Sequence, residues 1–218
     1  MDQQALFQGR LRAVLLFLLL ASQAGCASDG LTPLGASLQA LLPNSESLGD
    51  QARDIPYASL AIKAGDVRGL MVMGAQQGGF SYWPSREGLL LTFQDDALMT
   101  FTGLEQELLS TRYDSATLPW QQASPAPFRI TLRWRGTQGQ LHSDVAGGQL
   151  HCGEPSQRSL PMGNRLLQPC EQRLTWTDGS QTEATLWRDP QTFALWEWNG
   201  QLWPGAPRVH WQVARQWW

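Results

Sequence analysis

The sequence predicts an all-β, mainly antiparallel fold: a single barrel-like or strongly curled meander sheet, with a short N-terminal helix after a signal peptide. Three observations carry this. From Ile55 onward, short apolar runs are separated by Gly, Pro, Asp and Asn, the texture of successive strands joined by tight turns. Residues 128–135 alternate strictly, with Ile130, Leu132 and Trp134 on one side and Arg129, Arg133 and Arg135 on the other, which gives one dry and one wet face. The last third repeats a hairpin rhythm around Asp178-Gly179, Asp189-Pro190 and Pro204-Gly205, and nothing in the chain has the form of a βαβ unit.

Taken in order, residues 1–25 have the grammar of a secretion signal. Arg10 and Arg12 form the positive n-region, residues 13–21 an apolar core too short to span a bilayer, and Ala24-Gly25 leads into Cys26. Small residues before a cysteine are what lipoprotein processing needs, so Cys26 is the expected attachment point of a diacylglycerol or acyl lipid. The residue three before it, usually aliphatic, is Gln23; the other reading is ordinary cleavage at residues 21–24 with Cys26 left as a free thiol. Ala27 follows the cysteine, where Asp commonly signals inner-membrane retention in enteric bacteria. The expected address is therefore the outer membrane, lipid-anchored, on its periplasmic side. Residues 26–54 read as a tether with a short helix, from the spacing of Leu34, Leu38, Leu41 and Leu42 before Pro43.

Residues 55–218 read as one β domain. Strands are expected at 57–63, 69–76, 80–83, 88–93 and 98–103, with turns at Gly78-Gly79 and Asp95-Asp96. Residues 104–124 suit either a strand or a helical turn, and Pro119, Pro125 and Pro127 favour an irregular crossing. The strand at 128–135 is followed by candidates at 141–145 and 149–152, a loop at 153–169, and strands at 170–177, 181–188, 193–202 and 208–217. Cys152 and Cys170 remain once Cys26 is assigned to lipid. In an oxidising compartment they can pair across that loop, the alternative being two buried thiols.

Without Arg10, Arg12 and Asp2, the 16 basic and 19 acidic residues fall to 14 and 18, a net charge of −4 that attracts no phosphate backbone. No nucleic acid is expected as a partner. After the signal there is no run of about 18 apolar residues, so the lipid is the only membrane attachment expected.

Eleven tryptophans are the oddity of the composition. Indole filling a core is the commoner use, but an exposed row of indoles makes a platform on which sugar rings stack. Alternation puts Trp196 and Trp198 on one side of their strand, opposite Phe193, Leu195 and Glu197. With Trp187, they are the candidate residues for binding glycan or a partner. The pairs Asp95 with Asp96 and Glu105 with Glu107 are the acids that glycoside cleavage would use, but Asp is favoured in turns for backbone hydrogen bonding alone. His142, His151 and His210 follow no zinc-site spacing and there is no Gly-x-Ser-x-Gly elbow, so no metal, cofactor or catalytic residue is expected.

The anchor cysteine, Ile55-Pro56-Tyr57-Ala58-Ser59, LLLTFQDDALMTFTGL at 89–104 and TLWRDPQTFALWEW at 185–198 together resemble the YjbF/GfcB family of capsule and exopolysaccharide lipoproteins, over nearly all of the chain after Cys26. The resemblance implies a barrel-like antiparallel β fold and a periplasmic, non-catalytic role in assembly or export of surface polysaccharide. It implies as partners an outer-membrane β-barrel export protein and a second periplasmic accessory protein. Two other classes stay open: a lipid or glycolipid carrier with an apolar barrel cavity, and a polysaccharide-processing enzyme.

Overall fold

In the computed structural model, which describes residues 47–218, the first element is helix α1 (Leu48–Asp54). Ser47 caps it by accepting from the Asp50 backbone N–H at 3.2 Å, and Asp50 pairs with Arg53 one turn on. The helix buries Ala52 and, with Ile55, covers Ala61, Leu70, Val72 and Ala214. These four belong to strands whose other faces line the main core, so α1 lies on the outside of the sheet. The helix expected around Leu34 to Leu42, like Cys26, lies outside the described residues.

Fourteen strands follow. The first seven are β1 (Ser59–Ala64), β2 (Val67–Val72), β3 (Ala75–Gln77), β4 (Phe80–Pro84), β5 (Leu90–Gln94), β6 (Ala97–Thr102) and β7 (Glu107–Tyr113). A 3₁₀ turn, Pro119–Gln121, precedes β8 (Phe128–Arg135), β9 (Leu141–Cys152), β10 (Ser156–Leu160), β11 (Gly163–Trp176), β12 (Gln181–Arg188), β13 (Leu195–Gly200) and β14 (Val209–Arg215). All pairings are antiparallel, in the order β2-β1-β14-β13-β12-β11-β9-β8-β7-β6-β5-β4-β3, with β10 paired to β11 alone.

The two ends of that order, β2 and β3, are consecutive in the chain and only Met73 and Gly74 separate them. Met73 N–H donates to Ala58 O, just before β1, at 3.0 Å and Gly74 N–H to Tyr82 O on β4 at 2.8 Å, so the linker is bonded to the strands next to both edges. A sheet whose opposite edges are tied through two residues must curl back on itself. It is a strongly curled meander, as the alternation and turn signals predict.

Strands β8 and β12 coincide with their expected bounds, and Asp95-Asp96 turns with both residues at positive φ, 48° and 70°, the conformation that a two-residue hairpin of the primed type needs. Four stretches differ. The strand expected at 69–76 is divided between β2 and β3 at Met73-Gly74. The ambiguous 104–124 contains β7 and the 3₁₀ turn. The strands expected at 141–145 and 149–152 are one strand, because Gly148 sits beneath the Phe128 ring: a Cβ there would fall 2.3 Å from the ring carbon Cζ, so glycine lets the two strands pair without a break. And residues 153–169, expected as a loop, are mostly a hairpin arm made of β10 and the first third of β11.

Tryptophan fills the interior. Trp83, Trp203 and Trp211 are at most 1 % exposed, and the ring of Phe93 meets Trp211 edge-on at 5.3 Å while Phe101 stacks on Trp203 at 5.9 Å. Indole supplies a large apolar area per residue, which is how a curled sheet with one thin layer of side chains excludes water.

Cys152 and Cys170 are disulfide-bonded and lie opposite one another on β9 and β11, where the arm leaves the sheet. The bond closes the loop that contains the arm. For a sequence separation of 18, loop-closure entropy alone gives about 3 kcal/mol. Replacing both cysteines with alanine should therefore lower the unfolding free energy obtained from denaturant titration by about that amount, and labelling of either thiol in the unreduced protein would show the bond absent.

Candidate functional site

The three tryptophans singled out by alternation do not form an exposed platform. Trp196 is 4 % exposed and Trp198 7 %, and their strand neighbours Leu195 and Glu197 are each 1 % exposed, so both faces of β13 are covered. Trp198 lies in register with Leu186 and Trp211, inside the sheet. A bulge opposite Trp187 and Arg188 leaves Trp196 unpaired, and its ring packs against the Arg165 guanidinium at 3.8 Å and edge-on against Trp218 at 5.5 Å. Trp187, half-buried, lies under the Arg158 guanidinium at 4.8 Å. Phe193, placed on the strand by the sequence pattern, is instead in the turn before it at φ 61°, beneath Arg188. The cover on the outer face is the arm, which periodicity within β13 has no means of registering.

What clasps the arm is an ionic cluster centred on Glu197. Arg158 on β10 reaches its carboxylate with two bonds, Nε to Oε2 at 2.6 Å and Nη2 to Oε1 at 2.5 Å, and His210 Nε2 lies 2.8 Å from Oε1. Gln212 adds a weaker tie, its Nε2 donating to Ser159 O at 3.5 Å. Burial by itself would raise the pKa of Glu197, but the hydrogen bonds from His210 and Arg158 outweigh it and bring the carboxyl down to about 2. The sequence signal for this centre is a glutamate inside the apolar run LWEW.

Arg188, unlike the cations of that cluster, is buried, at 1 % exposure. Its Nε donates to Gln168 Oε1 at 2.9 Å and its Nη1 to the carbonyls of Trp120 and Gln122 at 2.5 and 2.7 Å, pinning the 3₁₀ turn to β12. Burial lowers its pKa.

The expected acid pairs serve structural ends where they stand. Glu107 accepts from Gly103 N–H at 2.9 Å and from Arg135 at 2.7 Å. Asp96 accepts from Leu195 N–H at 3.4 Å, and burial, opposed by that bond and reinforced by the neighbouring Asp95, raises its pKa to about 6. It borders an interior cavity of about 20 Å³ shared with Thr111, Trp120, Gln172, Trp198 and Trp211. That is room for one water molecule. The Thr111 hydroxyl and the indole N–H groups of Trp120 and Trp211 in its wall have no protein partner.

Besides a hollow of about 410 Å³ over Phe128, Gly147, Thr175 and Gln181, two others lie on the outside. One, of about 370 Å³, crosses the polar face of β9, β11 and β12 between Gln149, His151, Glu171, Arg173, Glu183 and Arg208. The other, of about 260 Å³, lies between the arm tip at Met162 to Arg165 and the segment 213–216, with Trp196 in its wall. Among the described residues, no group of three or more His, Cys, Asp or Glu is gathered as a metal ion would require, and no helix is long and apolar enough to cross a membrane.

A curled antiparallel sheet with a disulfide-closed arm and a short helix over its outer face defines the structural class. No protein-family model matches the sequence, and no curated protein matches it. Among solved structures, the chain is similar to the hypothetical lipoprotein YmcC of Escherichia coli (K12), with a TM-score of 0.72 at 17 % identity, covering 88 % of this chain and 98 % of that one. At that identity the likeness is one of fold. An exported protein with a YmcC-like fold from Bacteroides fragilis matches at a TM-score of 0.36 and 7 % identity over 72 % of this chain and 93 % of its own, which is too distant to bear on the argument.

Proposed function

We propose that the chain is a lipoprotein of the bacterial envelope, held by acyl chains on Cys26 at the periplasmic face of the outer membrane, that assists assembly or export of capsule or exopolysaccharide by binding rather than by chemistry. The observation that carries the reading is the pairing of a secretion signal ending in Ala24-Gly25-Cys26 with a domain whose fold matches that of a lipoprotein over 88 % of the chain. The resemblance of residues 55–59, 89–104 and 185–198 to capsule and exopolysaccharide lipoproteins supports the polysaccharide part of this reading. On the same resemblance, the partners are an outer-membrane β-barrel export protein and a periplasmic accessory protein.

Two features of the domain support binding over the other classes. The larger hollows are on the outer surface, and the one of about 370 Å³ is lined mainly by polar side chains, as hydroxyl-rich glycan requires. The interior cavity of about 20 Å³ has no room for an acyl chain, which disfavours a lipid carrier.

Cys26→Ser should move the protein from the membrane to the soluble periplasmic fraction, since acyl burial at about 0.8 kcal/mol per CH₂ is its main attachment. Crosslinking in intact envelopes should then recover polysaccharide or an outer-membrane export protein with the anchored form. Recovery of neither, with the protein well folded, would end this reading.

A further inference from the structure

The hollow at the arm tip differs from the polar face of β9, β11 and β12 in one respect: its wall contains cations and no acid. Arg165 and Arg215 line it, together with Met162, Asn164 and Trp196. Arg215 is held in place from the other side, its Nη2 donating to the carbonyls of Ala52 and Arg53 at 3.3 and 3.4 Å. Its Nε is buried without an acceptor, and so is the indole N–H of Trp196. Arg165 donates no hydrogen bond to any described residue and rests its guanidinium on the Trp196 ring. The acid that feels its charge is Asp189, whose carboxylate is already engaged by the N–H groups of Gln191 and Thr192 at 2.9 Å. Met162 in the wall is 39 % exposed, and Trp218, which meets the Trp196 ring edge-on, is 47 % exposed.

We propose that this hollow binds an anionic group, a carboxylate or phosphate, carried on a sugar residue. Two arginines with donor capacity to spare supply charge-assisted hydrogen bonds to such a group. The open part of Trp218 offers an indole face for the apolar side of the ring. A volume of about 260 Å³ is just below the size at which small-molecule sites begin, roughly 300 Å³. It suits one sugar residue of a chain that continues out over the rim. The proposal rests on the polysaccharide reading above and narrows it to acidic glycans.

The test is calorimetric titration of the full chain in detergent with oligogalacturonate, with the uncharged galactose oligomer, and with glycerol 1-phosphate as a soluble lipid-headgroup mimic. Oligogalacturonate should bind saturably and lose affinity as salt rises, while the neutral oligomer binds at least tenfold more weakly. Arg165→Gln should weaken oligogalacturonate binding about tenfold, the loss expected for one charge-assisted hydrogen bond, with the melting temperature nearly unchanged because Arg165 is exposed. Arg165→Lys, which keeps the charge, should restore part of the affinity. Equal binding of the neutral oligomer, or binding unchanged in Arg165→Gln, would overturn the proposal. So would binding of glycerol 1-phosphate alone, which would make the hollow a headgroup site. Failure of every ligand in a protein that still crosslinks to envelope polysaccharide would remove the anion site and leave the broader reading standing.

Discussion

Trp198→Ala is expected to cost about 3 to 5 kcal/mol of folding free energy, the range for truncating a large aromatic in a packed core. Trp198 is 7 % exposed, lies in register between Leu186 and Trp211, and borders the small interior cavity. Removing the indole would merge its volume with a void already present, and cores collapse only in part around such a loss. Trp218→Ala is the control. At 47 % exposure its truncation should shift stability by about 1 kcal/mol or less. Guanidinium denaturation of the two variants measures both. A wild-type midpoint for Trp198→Ala would mean that the indole is not core.

The second large effect is expected at the clasp, and its asymmetry is the informative part. Glu197 is 1 % exposed on its side chain, whereas Arg158 is 35 % and His210 32 % exposed. Arg158→Ala leaves a buried carboxylate short of its main partner, which costs about 3 to 5 kcal/mol in comparable pairs. The low end applies here, because His210 stays within reach. Removing the buried member instead, by Glu197→Gln, leaves two cations that can turn toward water. Its cost should be smaller, so truncating the more exposed residue of the pair should do more damage.

The pH dependence has a definite sign. Glu197 is depressed to about 2 in the folded protein and has an ordinary carboxylate value, about 4.3, when unfolded. Its contribution is therefore fully present above about pH 4.3 and is lost as pH falls toward 2. In Arg158→Ala the folded carboxyl titrates higher, so the loss should begin at a higher pH. Denaturation midpoints at pH 7, 5 and 3 for wild type, each single variant and the double variant would measure this. Equal costs for the two single variants at pH 7 would refute the clasp as described.

Local chemistry was legible wherever neighbours in sequence are also neighbours in space. The alternation of 128–135 and 181–188, the positive-φ turn at Asp95-Asp96 and the hairpin at Asp178-Gly179 depend on backbone sterics and on the period of a strand, and both are properties of a few consecutive residues. The pairing of Cys152 with Cys170 was open to a reading from counting and compartment, and their cross-strand register made it geometrically possible.

The candidate site was less legible. Alternation sorted Trp196, Glu197 and Trp198 into two sides of a strand, but whether a side meets solvent depends on what packs there. Residues 153–169 gave no strong strand signal because β10 pairs on one edge alone and its sequence, SQRSL, carries a single apolar residue, Leu160, and so no alternation. Its position over β13 comes from Arg158 reaching a carboxylate 39 positions away, and Arg165 meets Trp196 in the same manner. The sequence by itself determined the strand period, the turns, the number of cysteines left to pair and the signal at 10–26. Only the tertiary structure decided that the sheet curls until β2 meets β3, that the arm folds over β13, and that Arg165, Arg215 and Trp196 share one hollow. Those outcomes are contacts between residues far apart in the chain, and such contacts are set by the summed packing of the whole sheet, which no short window of sequence contains.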